Sequence, residues 1–557
     1  MAKTDKPVIA LPNVETFGWD TVYAASFPVV NKAIMAQKSF PTSFHYKDKA
    51  GVTFSGTWKS WQLCGGSGQY VQMECIVESG TAKFSGQHDG NLKDASLKIQ
   101  VTLQQFADSS ATFTDPTAKK GSGTAHVLKV NNSAHGGDPI VSVLSSQYPN
   151  VTGLLLDLLD SVFRGYFCEH IGEFNHTFAT MMLNAEADKG DFNWLKPSAY
   201  SYAVAGPVGG DISEYVFGLL CMVDGGKIYP DRRQQQAVDD RALQGLKDGA
   251  NSAFLISAEK FTEHMLFRGA MFTIQGSKAE DFKIRGDGVS ISNVKAITWG
   301  RFQTDHGVIA PRIDIGKFTM RVEGDHILLE LVDVHYEPTP GITVHMTITQ
   351  RFGYQSAQRG DGKYVFIPDE NTFGSPNIVS TVDQSSAMST FEEVTMIVGT
   401  LVGAVLAITG IGEILMAGAT VAEEVAGTAV EVSAEVIESA TEEAGENVVA
   451  SAEETAADSA DEGAAAPGDP NQVQKGSFLL SAKARAWLGL AVALGGNIPT
   501  AGMLWATSWT KGKYDNIPAL NEFVDNCVGA TQWPMMADAE LVSAELRKSL
   551  VMGMILR

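Results

Sequence analysis

Ser26-Phe27-Pro28-Val29-Val30-Asn31-Lys32-Ala33-Ile34 is echoed 231 positions further on by Ser257-Ala258-Glu259-Lys260-Phe261-Thr262-Glu263-His264-Met265. Each Ser follows a strand-like run, Thr21-Val22-Tyr23 or Phe254-Leu255-Ile256, and each is followed four and eight places later by apolar residues: Val30 and Ile34, Phe261 and Met265. A Ser between strand and helix can accept the free N–H groups of the first helical turn. Positions four and eight residues beyond it share one helical face. The spacing predicts two similar halves, each opening with strand, cap and amphipathic helix, the helices covering 27–38 and 258–268.

Between and beyond these helices the pattern is β. Val71, Met73, Cys75 and Val77 alternate with polar or small neighbours, as do Leu97, Ile99, Val101 and Leu103. Further strands are expected at Phe174–Leu183, Lys317–Val322, Ile327–Tyr336 and Ile342–Phe352. In the last, Ile342, Val344, Met346 and Ile348 point to one face while Thr343, His345, Thr347 and Thr349 point to the other. Such period-two runs mark antiparallel sheets with one buried and one wet face. Gly65-Gly66-Ser67-Gly68 and Asp89-Gly90-Asn91 read as turns. The period changes at 151–170, where Leu154, Leu155, Leu158, Leu159, Val162 and Phe163 form a broad helical face. Leu541–Leu550 is expected to form a helix or a strand plus a helix.

The formal net charge is −22, from 64 acidic and 42 basic residues. No basic run is longer than a pair such as Lys119-Lys120 or Arg232-Arg233, which argues against a nucleic-acid partner. Fifteen of the acids fall between Glu413 and Asp469, where there is no Lys or Arg. That stretch reads as an amphipathic helix at its start and a solvated linker from Glu442 onward. Immediately before it, 394–412 offers nineteen uncharged positions, interrupted by Gly399, Gly403, Gly410 and Gly412. A buried or hairpin helix, a membrane contact and a span all remain open for it, and its acidic flanks supply no basic anchor. The five cysteines are dispersed without a C-x-x-C pair, which predicts free thiols in a reducing compartment. The N-terminus lacks the apolar stretch of a secretory signal, so the chain is expected to be made in the cytoplasm.

Chemistry is sparse. The chain has no H-E-x-x-H, P-loop or G-x-S-x-G motif. Cys168, His170 and His176 come nearest to a metal cluster but lack a fourth ligand at metal-site spacing, and they read as packing residues. Glu169, Glu173, Asp188 and Asp191 read as solvated caps. No catalytic residue, metal or cofactor is expected.

Thr16-Phe17-Gly18-Trp19-Asp20-Thr21-Val22-Tyr23, with Val30-Asn31 after it, resembles the opening of a known family. The family is the forty-seven-kilodalton protein encoded beside OrfX proteins in clostridial neurotoxin and insecticidal-toxin gene clusters. Phe174-Asn175-His176-Thr177-Phe178-Ala179, Trp194-Leu195-Lys196-Pro197, Tyr202-Ala203-Val204 and Trp533-Pro534 agree with it. The resemblance implies an α+β fold of tandem tubular lipid-binding (TULIP) units, each a strongly curved antiparallel sheet wrapped around a long helix. The first unit is expected over 1–245 and the second over 246–557, interrupted by the apolar and acidic insertion at 394–475, which departs from the family pattern. Resemblance also implies a non-enzymatic lipid-binding or membrane-associated accessory protein, released with a toxin complex, whose partners are a lipid or membrane surface and toxin or OrfX-type proteins. The groove candidates are Val30, Ile34, Leu155, Leu158, Val162, Phe261 and Met265, and a lipid or fatty acid is the bound molecule to look for. The competing reading is a scaffold that protects or delivers a toxin without binding lipid, and a third is direct insertion of 394–412 into a membrane.

The acids beside 394–412 repel anionic lipid at neutral pH and lose that effect as they titrate, at about pH 4–5 for exposed Glu. Membrane binding is therefore expected to strengthen as pH falls. Liposome co-sedimentation with and without residues 394–474 checks this, and equal binding by both forms at every pH would remove the segment from the account.

Overall fold

The computed structural model describes residues 11–384, except 50, 86–88, 108–123, 134–139, 184–192, 229–233, 247–248, 268–269, 271–273, 275–276, 300–301, 305–306, 340–341, 359–363 and 370–376, together with 476–477, 531–533 and 539–557. The expectations for 394–412 and 442–474 lie outside the described residues. Two compact units divide the chain. The first comprises Met1–Phe261, Ser356–Phe366 and Pro518–Arg557, and the second Thr262–Gln355 and Ile367–Ile517.

In chain order the described elements of the first part are β1 (Thr21–Ser26), α1 (Phe27–Gln37), β2 (Ser43–Lys47), β3 (Thr53–Ser67), β4 (Tyr70–Lys83), β5 (Gly90–Asn91), β6 (Ser96–Val101), β7 (Leu103–Ala107), β8 (Thr124–Val130), β9 (Ser142–Gln147), α2 (Leu154–His170), β10 (Ala179–Leu183), β11 (Pro197–Ala205), β12 (Val216–Val223), β13 (Ser252–Ile256) and α3 (Ala258–Phe261). There follow β14 (Phe282–Ile284), β15 (Ser290–Asn293), β16 (Ile297–Thr298), β17 (Phe302–Thr304), β18 (Gly307–Ile309), β19 (Arg312–Ile313), β20 (Phe318–Glu323), β21 (His326–Thr339), β22 (Ile342–Gln358), β23 (Tyr364–Asp369), β24 (Asn377–Gln384), β25 (Gly476–Ser477), β26 (Thr531–Gln532), β27 (Ala539–Arg547) and β28 (Ser549–Leu556). The architecture is mostly antiparallel sheet with few helices, α+β overall.

One sheet of the first unit has the order β2-β3-β4-β6-β9. Its register pairs Val71 with Val101, Met73 with Ile99 and Cys75 with Leu97, so the apolar positions of the period-two pattern meet on one buried face. Helix α2 packs on that side of the sheet. Phe163 meets Phe54 at a ring-centroid distance of 4.4 Å, Trp58 meets Phe44 at 4.7 Å, and Phe167 meets Trp61 edge-on at 5.4 Å. Each such pair contributes about 0.5–1.5 kcal/mol beyond its burial. Helix α1 docks on the same strand, β3, through a side chain that mimics a strand: Asn31 Nδ2 donates to the Leu63 carbonyl at 3.0 Å, and its Oδ1 accepts the Leu63 N–H at 2.7 Å.

A second sheet, β11-β12-β1-β13-β28-β27, is antiparallel throughout and repeats itself about a local two-fold axis. The axis passes between β1 and β13, whose register pairs Tyr23 with Phe254, residues 231 positions apart that pack edge-on at 5.9 Å. Bonding at the strand entrances follows the same symmetry. Asp20 N–H donates to the Cys221 carbonyl, and Asp20 Oδ2 accepts the Val223 N–H at 2.9 Å. Asn251 N–H donates to the Met554 carbonyl, and Asn251 Oδ1 accepts the Leu556 N–H at 2.8 Å. Ser26 N–H reaches Asn251 O, and Ser257 N–H reaches Asp20 O, both at 2.9 Å. Two residues before each acceptor stands a glycine with positive φ, Gly18 at 85° and Gly249 at 75°. Gly18-Trp19-Asp20 therefore corresponds to Gly249-Ala250-Asn251.

Several expectations are corrected. Ser26 and Ser257 both precede helices, but only Ser257 caps with its side chain, Oγ accepting the Lys260 N–H at 3.2 Å. Pro28 at the second position of α1 has no N–H to offer Ser26. The helix expected over 258–268 is one α turn, Ala258–Phe261, running into a π-helical turn, Thr262–Leu266. Gly65 and Gly66 lie inside β3, at a bulge after Leu63, rather than in a turn. The strand expected from Phe174 forms only over Ala179–Leu183, after a 3-10 turn at Ile171–Glu173. Within α2, Leu154 is 49% exposed, so the apolar face runs instead through Leu155, Leu159, Val162, Phe163, Tyr166 and Phe167. The C-terminal stretch is the hairpin β27/β28, turning at Lys548 with φ 67°. Arg547, 1% exposed, anchors it by donating to the backbone carbonyls of Pro12, Gln244 and Arg241.

Trp19 is 1% exposed, and its Nε1 donates to Gln235 O at 2.7 Å. Trp19→Ala is expected to cost about 3–5 kcal/mol. Asp20→Ala leaves the Val223 N–H without its acceptor and is expected to cost about 1–3 kcal/mol, whereas Asp20→Asn recreates the bond made in the second repeat and should cost less. Urea unfolding of the three variants checks this, and equal losses for Asp20→Ala and Asp20→Asn would contradict the equivalence of Asp20 and Asn251.

Candidate functional site

The apolar groove candidates are buried where they are described. Val30 and Ile34 lie on the inner face of α1, beside the Asn31 clamp on β3. Leu155 and Val162 lie on the inner face of α2, and Leu158 is half-buried one residue before the core position Leu159. A Cβ added to Gly90 would come within 2.8 Å of Leu155 Cδ2, so the tip of α2 sits closely against β5. Phe261 is buried in α3, which packs against β28 of the two-fold sheet. The side chain of Met265 lies outside the described residues. Helices α1 and α2 thus both dock on β3, through Asn31 and through Phe163 and Phe167, while α3 packs against β28.

The residues that carried the family resemblance are packing residues. Phe174 stacks on Trp61 at 5.6 Å, and Phe178 stacks on Phe217 at 5.4 Å. Tyr202 Oη accepts the Leu103 N–H and donates to Gln69 O. Trp533 packs edge-on against Tyr23 at 5.2 Å. His176 is fully buried, its Nδ1 2.9 Å from Ser39 Oγ and its ring edge-on to Phe178. His170 faces Glu173 at 2.8 Å instead, and Cys168 faces Val141 O, so the three do not form one ligand set.

The second unit holds a cluster the sequence reading missed: Asp333, His335 and His345, with one donor atom of each within 4.8 Å of the others. His345 was legible as a wet-face residue of β22. Its partner was hidden by a bulge in β21, where Val332-Asp333 intervene between the paired residues Leu331 and Val334. The local sign was two buried residues three apart, Leu331 and Val334, inside an otherwise period-two strand.

The family described as OrfX-like, protein OrfX2/OrfX3/P47, matches residues 16–461. The chain belongs to the OrfX-like family. It is 30% identical over 303 residues to protein OrfX3 of Paraclostridium bifermentans, covering 50% of this chain and 58% of that protein. It is 28% identical over 291 residues to protein OrfX3 of Clostridium botulinum strain Kyoto/Type A2, covering 48% and 57%. The chain thus spans somewhat over half the length of these curated relatives. The solved structure of P47 from Clostridium botulinum A2 superposes with a TM-score of 0.52 at 14% identity, over 97% of this chain and 98% of that one. This OrfX-like chain therefore shares the P47 fold. No helix among its described residues is long and apolar enough to cross a membrane.

Burial pushes the His176 imidazole down to about 4 from its ordinary 6.5. Between those values the unfolded chain holds a proton that the native state refuses, so stability present above pH 6.5 is lost as pH falls toward 4. The loss attributable to His176 at pH 4.5 is about 2–3 kcal/mol. His176→Gln is expected to lose correspondingly less between pH 7 and pH 4.5 in denaturant unfolding, and an equal loss in both proteins would place the acid sensitivity elsewhere.

Proposed function

We propose that this protein is a non-enzymatic, lipid-binding accessory protein of a bacterial toxin system, built from two tandem TULIP-like units that begin near the N-terminus and near residue 246. The observation that carries the reading is the OrfX-like match over 16–461 on a chain with the P47 fold. The repeat supports the tandem arrangement: Gly18-Trp19-Asp20 and Gly249-Ala250-Asn251 open equivalent strands of one sheet, and each strand leads through a Ser into a helix. A lipid chain would lie along the apolar faces of α1 and α2 where they meet β3, at Val30, Ile34, Leu155, Leu158 and Val162, with a corresponding place at Phe261 and Met265 after the second Ser. Small-molecule sites are mostly apolar with a few placed polar groups, and Asn31 is such a group at the first helix. Toxin or OrfX-type proteins are the proposed protein partners.

Native mass spectrometry of the purified full chain tests the lipid reading. A co-purified lipid, removed by organic extraction and rebound on addition of phospholipid micelles, is the expected result. Protein that stays bare with phospholipid, yet retains an OrfX-type partner through purification, would support the scaffolding reading instead.

A further inference from the structure

We propose that Asp333, His335 and His345 form a binding site for a divalent transition-metal ion, zinc foremost, on the wet face of the β21–β22 hairpin in the second unit. His335 and His345 are direct cross-strand partners, and their rings lie 5.8 Å apart at 33°. Paired residues of an antiparallel sheet project on the same side, so both imidazoles leave the sheet together. Without the bulge this would fail. Leu331 and Val334 are both buried, and the extra residue between them inverts the phase of β21 so that His335 faces outward beside His345.

The bulge also supplies the third ligand. Asp333 adopts φ 58°, a left-handed conformation that Asp tolerates better than most residues, and its N–H is tied to Thr347 Oγ1 at 3.3 Å. This aims the carboxylate across at β22, where Oδ1 lies 2.7 Å from His345 Nδ1. His335 Nδ1 lies 3.2 Å from the Asp333 carbonyl, a contact in which Nδ1–H donates and Nε2 keeps its lone pair for a metal. Ligands at zinc distances of about 2.0–2.2 Å stand roughly 3.3 Å from one another in a tetrahedron. Donor atoms already within 4.8 Å reach that arrangement by side-chain rotation, the ion replacing the proton between Asp333 and His345. Two imidazoles and a carboxylate favour zinc and its transition-metal neighbours over calcium or magnesium, which take oxygen ligands. Arg312, the partner of His335 on its other side, is paired with Asp314 at 2.9 Å, which offsets its repulsion of a cation. Three protein ligands leave a further position for water or an incoming donor.

The test is titration of the metal-free full chain with Co2+, whose visible d–d bands report low-coordinate binding, followed by displacement with Zn2+. One equivalent of Co2+ giving such bands without a thiolate charge-transfer band is the expected result, because that band would mark the cysteines. The double variant His335→Gln/His345→Gln is expected to weaken binding by at least about 100-fold, since loss of groups that merely support a ligand already costs about 10–100-fold. Asp333→Asn keeps a residue that accepts the left-handed conformation while removing the anionic ligand, and provides the second readout should the double variant unfold. Metal-free melting temperatures separate folding from binding. Folded wild-type protein that develops no d–d bands, or variants that bind with wild-type affinity and stoichiometry, would overturn the site.

Discussion

The antiparallel pairing of β1 with β13 is the constraint on which the first unit depends. Each strand contributes its entrance residue to the other: the Ser26 N–H bonds to Asn251 O, and the Ser257 N–H to Asp20 O. The side chains of Asp20 and Asn251 then seize the next strands outward, β12 and β28, by a backbone N–H two residues beyond the last shared ladder position. A carboxylate and an amide do this equally because only an acceptor oxygen is required. Helices α1 and α3 start where these strands stop, so an error in register at the axis would misplace both together.

Much of the β architecture was legible because one face of each sheet is buried and the other is wet. Val71, Met73, Cys75 and Val77 announce β4, and Val344, Met346 and Ile348 announce β22. β28 was unreadable for the opposite reason: Leu550, Val551, Met552 and Met554 are all buried, so the segment has no period and is compatible with helix or strand. The Ser26 cap was over-read because Pro28 removes a donor, a local fact visible in the sequence. The equivalence of Gly18-Trp19-Asp20 with Gly249-Ala250-Asn251 escaped notice because what is retained is a backbone conformation and an acceptor, not a similar side chain at the middle position.

Site residues were harder to read than the fold. An apolar side chain that would line a lipid groove and one that fills a core are the same residue type, and burial of Val30, Ile34, Leu155 and Val162 follows from either role. The histidine cluster is different in kind. Its members lie within twelve residues of one another along β21 and β22, so a hairpin register would have found them, but that register carries an extra residue whose one sign is the break in alternation between Leu331 and Val334. The resemblance motifs proved to be packing elements, with aromatic rings at Phe174, Phe178, Tyr202 and Trp533 interlocked around the sheets.

The placement of β28 beside β13 bears on the order in which the protein can be assembled. Ser252–Ile256 must wait for Ser549–Leu556, roughly three hundred residues later, before its outer edge is covered. During synthesis at about 5–20 residues per second, that edge stays open for tens of seconds or more. An uncovered strand is a template for pairing with another chain. The Arg547 clamp on Pro12 O joins the stretch before β1 to the hairpin that carries β28. Translation of this chain is thus a race between completion of its own sheet and capture by a neighbour, and a nascent-chain chaperone would have its greatest effect on the interval between these two strands.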